Sequence, residues 1–341
     1  MIDRRQLVAG FASLGVGGLA LAACSSAPSG PAAGELRFSI LSVESQQNLQ
    51  AHWGPILADM QAIIGMKVTP FFSTNYTALI EAMRFKQTDV GWFSNESGLE
   101  AVRRADGEVF ARTTEATGAD GYHSVLIVNA NSDITLDHVL KCDRSLNFGM
   151  GDAKSTSGTL APLTYLFAPK DIDPQTCFKT VRSGATHQAN LFSVAHGQLD
   201  VATNNDRGLM LARQRGVPEV NEVKVIWTSP LLPEDPIIWR KDLEASVKEK
   251  VRQFFLTYGQ GDTPTAQAQH AKLVRLSIGG FVPADDNHLL PVREIEATRD
   301  WLIAKESGDP AKIAAAKKAL DDIRAQREAL EGRTAAPAGA Q

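Results

Sequence analysis

The sequence predicts a two-lobed α/β protein from three observations. Short apolar strands alternate with amphipathic helical stretches from Glu35, and the alternation starts again after Asn129, as is typical of open, mainly parallel sheets. Two largely apolar strands, Ser124–Asn129 and Val223–Thr228, stand where the chain would pass between these units. A chain of 341 residues is long enough for two compact domains. We therefore expect two lobes joined by a two-strand hinge, with a ligand cleft between them.

The elements of each unit follow from the period of the apolar residues. In the first unit we expect strand Leu36–Val43, helix Gln46–Ile64, strand Lys67–Phe72 and helix Tyr76–Phe85. In the second unit we expect strand Leu146–Met150, helix Ser157–Phe167, strand Thr180–Val181, helix Gln188–His196 and strand Asp200–Asn204. Residues 35–128 and 227–293 are assigned to the first lobe and residues 129–226 to the second.

The C-terminal segment is rich in helix formers. Residues 294–333 predict a helical extension with a break around Ser307–Pro310, and residues 334–341 predict a disordered tail. Two interpretations of the extension stay open at this point. It packs against the first lobe, or it serves as a dimerisation arm.

The N-terminal segment is typical of an export signal. Arg4 and Arg5 precede an apolar run that ends in Leu-Ala-Ala before Cys24, which resembles a bacterial lipobox. Residues 1–24 are therefore interpreted as a lipoprotein signal peptide, with Cys24 the lipidated N-terminus of a periplasmic, membrane-anchored protein. The arginine pair permits twin-arginine export as well as the Sec route. Residues 25–34, rich in Ser, Pro, Ala and Gly, predict a flexible tether.

Charge and cysteine content narrow the classes of partner. The net charge of -4 gives no electrostatic reason to bind nucleic acid or an acidic membrane surface. Two cysteines follow Cys24, namely Cys142 and Cys177. An oxidising compartment permits a disulfide between them, and two separate buried thiols are the alternative.

The stretch from Gly149 to Gly158 has the chemistry of an anion site. A strand end and a glycine-containing turn lead into Ser155, Thr156 and Ser157, which open a helix. Backbone N–H groups at a helix start attract anions, and the hydroxyl groups add donors that rotate to suit a tetrahedral oxyanion. The stretch lacks the GxxxxGKS/T pattern, so a nucleotide-binding P-loop is not indicated.

Four further side chains stand at element boundaries where they can reach a cleft. His187 and the phenol groups of Tyr76 and Tyr122 can donate to a phosphoryl oxygen, and Asp235 can accept from a ligand cation. Each of these residues alone is more often a cap, a turn or ordinary packing.

The sequence does not assemble an enzyme or a metal site. It contains no HExxH motif, no CxxC pair and no nucleophile elbow. Its acids Asp89, Glu96 and Asp152 are scattered without acid/base spacing. We expect no catalytic residues and no cofactor.

Several segments in order resemble the phosphonate-binding proteins of ABC importers. The segments are Ser45–Leu49, Ala82–Phe85, Ser124–Asn129, Gly151–Gly158, Asp200–Asn205 and Val225–Pro236. The resemblance covers nearly all the chain after Glu35 and implies a type II periplasmic binding fold. It also implies a small organophosphonate ligand, and an ABC permease with its ATPase as partners.

The resemblance implies particular site residues. In that family a Ser-Thr-Ser run, two tyrosines and a histidine hold the phosphonate group. They match Ser155, Thr156, Ser157, Tyr76, Tyr122 and His187.

The organic end of the implied site departs from the family pattern. Aminoethylphosphonate binders of that family place two acids on the ligand ammonium; one matches Asp235, and the position of the other is Arg207. A cation there reverses the local preference, so Asp206 takes over, Arg207 points away, or the ligand differs. Phe93 also follows Trp92 where relatives carry tyrosine. Aminoethylphosphonate, alkylphosphonates and carboxyl-bearing phosphonates all remain open.

Other functions fit the same pattern of residues. A sensor would use the same two lobes to present a ligand to a membrane partner. Phosphite, phosphate and sulfate compete with phosphonates, because helix starts and hydroxyls discriminate tetrahedral anions poorly. An enzyme on the same fold would need a reactive cysteine or histidine in the cleft.

Overall fold

A computed structural model describes residues 34–334, and the side chains of residues 34–330. The predicted signal peptide with Cys24, nearly all of the predicted tether, and the tail after Thr334 lie outside the described residues.

Eleven strands and eleven α-helices are formed by the described residues. The strands are β1 (Glu35–Ile40), β2 (Lys67–Phe72), β3 (Val90–Trp92), β4 (Gly107–Glu115), β5 (Ser124–Asn129), β6 (Asn147–Gly151), β7 (Thr180–Ala185), β8 (Val201–Asn205), β9 (Val223–Thr228), β10 (Pro236–Arg240) and β11 (Ile278–Pro283). The helices are α1 (Gln46–Ile64), α2 (Tyr76–Arg84), α3 (Asn95–Arg104), α4 (Leu136–Leu140), α5 (Pro174–Cys177), α6 (His187–Ala195), α7 (Asp206–Gln214), α8 (Ala245–Thr257), α9 (Pro264–Val274), α10 (Leu290–Glu306) and α11 (Pro310–Thr334).

The first lobe is built on a six-stranded sheet of order β11-β4-β10-β3-β1-β2. β1 runs parallel to β2 and β3, whereas β10 is antiparallel to β3 and β4. Helix α1 packs on this sheet because its apolar residues recur every three or four positions, as at Leu49, Trp53 and Met60. Aromatic rings fill the core, with the Phe110 and Trp239 rings stacked at 4.0 Å.

The second lobe is built on a five-stranded sheet of order β7-β6-β8-β5-β9. β6 is parallel to β7 and β8, and β5 is antiparallel to β8 and β9. The helix expected over Ser157–Phe167 is present, and two of its parts, Thr156–Leu160 and Leu163–Phe167, are π-helical. Ala161 and Pro162 between them keep a helical backbone, so the helix is continuous.

The two segments in which the chain crosses between the lobes lie next to the two predicted hinge strands. The chain enters the second lobe between Tyr122 and Ser124 and leaves it between Ser229 and Leu232, and Tyr122 pairs with Leu232 at the crossing. The predicted division after residue 128 assigned β5 to the first lobe. Its backbone pairing with β8 and β9 places it in the second sheet. Apolar composition could not reveal this, because a strand buried in either sheet reads the same.

Cys142 and Cys177 form a disulfide within the second lobe. Their sulfur atoms are 2.08 Å apart and their Cα atoms 4.2 Å apart. Of the two alternatives for these cysteines, the structure shows the bridge. Cys177 lies in the same core cluster as Phe148, Phe167 and Phe178.

The C-terminal helices pack on the body of the protein. The break between α10 and α11 falls at the predicted position after Glu306. Helix α10 contacts α3 of the first lobe and both π-helical segments of the second. Arg103 of α3 holds Glu296 of α10 through two hydrogen bonds of 2.8 and 3.2 Å. Whether the helices also join two copies of the chain stays a prediction.

Candidate functional site

Several helix N-termini face the cleft between the two sheets. Each follows a strand that ends there, and each is capped by a side chain that accepts a backbone N–H of the first turn. The caps are Asn75 of α2, Ser94 of α3, Ser155 of the first π-helical segment, Thr186 of α6 and Asn205 of α7. Because N-terminal N–H groups and helix dipoles favour negative charge, this end of both sheets is suited to an anion.

A buried cavity of about 120 Å³ occupies the cleft. We call one part the anion end, formed by Tyr76, Ser155, Ser157 and His187. We call the other charged part the Arg207 cluster, formed by Arg207, Glu234 and Asp235. Arg207 and Asp235 line the cavity, as do Tyr122 and Trp92.

The anion end is organised around Ser157. The Ser157 hydroxyl lies 3.3 Å from His187 Nε2 and 3.5 Å from the Asn205 side-chain amide. The Ser157 carbonyl accepts a 2.6 Å hydrogen bond from the Ser124 hydroxyl, which fixes the backbone here. The structure therefore brings together three predicted residues, Ser155, Ser157 and His187, on the second lobe.

Close packing of two glycines sets the position of this loop. A Cβ atom added at Gly151 would lie 2.7 Å from the Cα of Gly158, and one at Gly158 would lie 3.0 Å from the Cα of Gly151. Neither position accepts a side chain without movement of backbone. The π-helical segment can thus begin directly against the end of β6.

Thr156 has a different place from its two neighbours. Its hydroxyl accepts a 2.8 Å hydrogen bond from the Glu96 backbone N–H on the first lobe. Its side chain is not among those that line the cavity. The Thr156 side chain thus links the two lobes rather than facing a ligand.

The side chains of the anion end are uncharged. Burial lowers the pKa of His187 to about 4, so its imidazole is neutral at physiological pH. Burial also raises the pKa of Tyr76 and of Tyr122 well above the ordinary value, so both phenols remain protonated donors. His187 Nδ1 has no hydrogen-bond partner among the described residues. An anion at this end would meet hydroxyl, imidazole and backbone donors without a cation.

The lobes contact each other on both sides of the cavity. On one side the Tyr76 N–H donates to Asp152 Oδ2 at 3.1 Å, and the Ser94 hydroxyl donates to the Lys154 carbonyl at 3.0 Å. On the other side Arg215 of the second lobe pairs with Glu44 of the first at 2.8 Å. The structure is therefore in a closed arrangement.

The Arg207 cluster contributes two of the four charged side chains that line the cavity, and the other two are the paired Glu44 and Arg215. The Arg207 guanidinium is bonded to the Glu234 carboxylate, lies 3.7 Å from Asp235 Oδ2, and sits 4.8 Å above the Tyr122 ring. Trp92 Nε1 donates to Asp235 Oδ2 at 3.1 Å. Burial raises the pKa of Asp235 to about 7, although Arg207 opposes the rise. Asp235 Oδ1 has no hydrogen-bond partner among the described residues.

Asp206 and Arg207, on which the alternatives for the organic end depend, have different positions in the structure. Asp206 is 43% exposed, pairs with His123 Nδ1 at 2.8 Å, and does not line the cavity. Arg207 does not point away, because its side chain is only 10% exposed and lines the cavity. Asp235 and Arg207 are therefore the two residues of these alternatives that line the cavity.

Sequence reasoning did not select Trp92, Glu234 or Asn205 as site residues. Trp92 and Asn205 are the last residues of β3 and β8, and Glu234 is next to Asp235. The rule that ligands collect at the carboxyl ends of strands would have indicated the first two. Nothing in the sequence indicated that Glu234 would pair with a residue of the second lobe.

Residues 34–334 contain neither a candidate metal cluster nor a helix suited to cross a membrane. None of these residues forms a cluster of three or more His, Cys, Asp or Glu arranged to hold a metal ion. Within the same part of the chain, no helix combines the length and apolarity needed to cross a membrane.

Two α/β lobes that meet around a cavity lined by hydrogen-bond donors define a two-lobed solute-binding protein with the type II periplasmic binding fold. The model of the phosphonate ABC transporter periplasmic substrate-binding protein family matches residues 38–289. The chain belongs to this family.

Individual relatives agree with this assignment. The phosphonates-binding periplasmic protein of Escherichia coli K12 is 41% identical over 302 residues, which are 86% of this chain and 87% of the relative. The crystal structure of a binding-protein component of an ABC phosphonate transporter from Pseudomonas aeruginosa superposes with a TM-score of 0.82 at 37% identity, over 89% of this chain and 100% of the other.

A more distant structure shares the fold. It is PhnD1 of Prochlorococcus marinus in complex with methylphosphonate, with a TM-score of 0.67 at 19% identity, over 77% of this chain and 97% of the other.

Proposed function

We propose that this protein captures an organophosphonate in the cleft cavity, closes over it, and delivers it to an ABC permease without transforming it. The observation that carries the proposal is the convergence of helix N-termini and neutral donors at the anion end of the cavity. It is supported by the family to which the chain belongs and by the names of its relatives.

Each side chain has a role in the proposal. The hydroxyls of Ser155 and Ser157 and the imidazole of His187 donate to phosphonate oxygens from the second lobe. Tyr76 and Tyr122 donate from the first lobe and from the crossing. Closure brings the two sets together, and the closed surface is what the permease recognises. Thr156 contributes through its contact with Glu96, which exists only when the lobes are close.

Calorimetric titration of the purified protein tests the proposal. Methylphosphonate, 2-aminoethylphosphonate, phosphonoacetate, phosphite and phosphate are compared, and ³¹P NMR of the recovered ligand checks for turnover. We expect at least one phosphonate to bind more tightly than phosphate and to be recovered unchanged. Absence of binding to every phosphonate, or a new phosphorus resonance, contradicts the proposal.

Ser157→Ala tests the anion end. Loss of a hydrogen bond to a charged group weakens binding by about tenfold to a hundredfold. Ser183→Ala is the matched control, because Ser183 is an exposed serine on β7 of the same lobe. Equal effects of the two substitutions would place the ligand elsewhere.

We also propose that a lipid on Cys24 anchors the protein to the membrane. The support is the run of small residues before Cys24 after a short apolar stretch. Mass spectrometry of the membrane fraction should find a diacylated Cys24 peptide, and Cys24→Ala should release the protein into the soluble fraction. A soluble wild-type protein contradicts the anchor.

Self-association through the C-terminal helices is a further proposal. Ile303 of α10 is 53% exposed, and much of α11 faces solvent. Light scattering of the full chain and of Ile303→Asp measures the oligomeric state. A monomer at every concentration tested contradicts a dimer.

A further inference from the structure

The cavity extends beyond the Arg207 cluster between helices α6 and α7. The apolar side chains that line this part are Leu41, Leu191, Phe192, Leu211, Val217 and Leu276, and the cavity is also lined by Glu44, Asn48, Gln188 and Arg215. All six side chains are apolar, and they come from both lobes. Apolar walls favour an apolar group, because placing a polar group there would remove it from water without a partner.

Helical spacing connects this extension to the anion end. His187 and Leu191 are one turn apart on α6, and Gly208, Leu211 and Arg215 follow one another along the same face at the end of α7 and its C-cap. At 1.5 Å per residue, the path from Gly208 to Arg215 is about 10 Å long. The faces that present donors at their N-terminal ends therefore continue along the mainly apolar part of the cavity, which we call the channel.

The charges near the channel are already paired with each other. Arg207 is bonded to Glu234 and lies 3.7 Å from Asp235, and at the far end Arg215 is bonded to Glu44. A ligand ammonium placed against Asp235 would lie beside the Arg207 guanidinium. A ligand carboxylate placed against Arg207 would lie beside Glu234 and Asp235. Either charge meets a like charge in a buried site, where repulsion is weakly screened.

We propose that the ligand of this protein is a phosphonate whose organic part is uncharged and apolar, of several carbons, and that it lies in the channel between α6 and α7. This inference rests on the phosphonate function proposed above and specifies the class of ligand. In this chain Arg207 occupies the place at which a ligand cation would otherwise meet Asp235.

Two ligand series test the proposal by calorimetry on the full chain. Propylphosphonate and 2-aminoethylphosphonate have similar size, but the first ends in a methyl group and the second in an ammonium group. Comparing their affinities therefore measures the effect of the ligand charge. We expect propylphosphonate to bind about tenfold more tightly or better. Methyl-, propyl- and hexylphosphonate isolate the chain length, and we expect affinity to rise by about fourfold per buried methylene until the channel is full.

Variants assign the effect to particular side chains. Leu211→Gln should reduce the preference for hexyl- over methylphosphonate, measured as the ratio of the two affinities. Met210→Gln is the matched control, since Met210 is a half-buried neighbour on α7 that does not line the cavity. Arg207→Met should reverse the order of propylphosphonate and 2-aminoethylphosphonate, because Asp235 then lacks a cation.

The outcomes separate this inference from the function on which it rests. Tighter binding of 2-aminoethylphosphonate than of propylphosphonate, or no gain from methyl to hexyl, overturns the apolar ligand class while phosphonate binding stands. Failure of all four phosphonates to bind overturns both. The expected order together with the Leu211→Gln effect supports both.

Discussion

At the anion end of the cavity the polar groups are uncharged, whereas the Arg207 cluster buries three ionisable side chains. The anion end consists of hydroxyls, a neutral imidazole and backbone N–H groups, with Ser157 and His187 only 3.3 Å apart. The Arg207 cluster is a cation held between two carboxylates. The anion end therefore buries neutral polar groups, whereas the Arg207 cluster buries ionisable ones.

The difference determines what each end can accept. Neutral donors are stabilised by an incoming anion, because the ligand supplies the charge that their dipoles favour. In the Arg207 cluster the cation is already paired with two carboxyl groups, and a further charge would disturb that pairing, while Asp235 Oδ1 has no hydrogen-bond partner among the described residues. We therefore expect, as proposed above, a charged group at the anion end and an uncharged group beside the Arg207 cluster.

Removal of the cation should have the largest effect on the free energy of unfolding. Arg207→Met leaves Glu234 and Asp235 buried without a partner, and breaking a buried pair in this way costs about 3–5 kcal/mol. The loss should be smaller at acidic pH, where the carboxyls can be protonated. Urea unfolding at two pH values measures it.

Two controls accompany Arg207→Met. Arg213→Met removes an exposed arginine of the same helix and should change stability little. Adding Glu234→Gln and Asp235→Asn to Arg207→Met should restore most of the loss. If Arg207→Met is as stable as the wild type at neutral pH, the cluster is not the ion network described here.

The contributions of the two ends to the free energy of unfolding should change with pH in opposite directions. The folded pKa of His187 is about 4, below its ordinary value of 6.5, so stability is lost as pH falls through this window. The folded pKa of Asp235 is about 7, above its ordinary value of 3.8, so stability is lost as pH rises through that window. Each contribution is at most about 3 to 4 kcal/mol.

Difference curves between variants and wild type isolate these contributions. His187→Gln should gain stability relative to wild type as pH falls, and Asp235→Asn should gain as pH rises. Other titrating groups cancel, because they are common to both proteins. Parallel curves for the two variants would show that the ends do not differ in charge state.

Backbone packing at the anion end should have an intermediate effect. Gly151→Ala forces a Cβ against the Cα of Gly158, and overpacking of this kind costs about 1–3 kcal/mol of stability. It should also weaken phosphonate binding, because Ser155 and Ser157 are displaced together. Gly280→Ala on β11 is the matched control, since its Cβ would meet nothing closer than 3.7 Å. Equal effects at both glycines would argue against a fixed loop.

The sequence predicted much of the fold because its core elements carry their own pattern. Helix α1 and strand β2 lie at the predicted bounds, since burial of one face gives a clear apolar period. The edge strand β7 extends to Ala185 instead of ending at Val181, because Arg182 and Ser183 are exposed and give no apolar signal. The π-helical geometry after Ser155 was also hidden, because it uses the same residues as an α-helix.

Site residues that are adjacent in the sequence could be predicted, whereas contacts between residues far apart in the sequence could not. Ser155 and Ser157 stand together after a strand, and the chemistry of a helix start is visible in the sequence. Arg207 and Glu234 are 27 residues apart, and their pairing depends on how two lobes meet. The sequence could therefore pose the alternatives for Arg207 and Asp206 without deciding between them.

The smallest predicted effect concerns closure, which both ends of the cavity share. Arg215→Met breaks the bridge to Glu44, a half-buried pair worth about 1 kcal/mol or less, so affinity should fall by no more than about fivefold. Every phosphonate should be affected by the same factor, because the bridge touches neither end directly. Arg213→Met should leave affinity unchanged. A selective loss for long-chain phosphonates would instead show that Arg215 contacts the ligand, and that the channel reaches its full length.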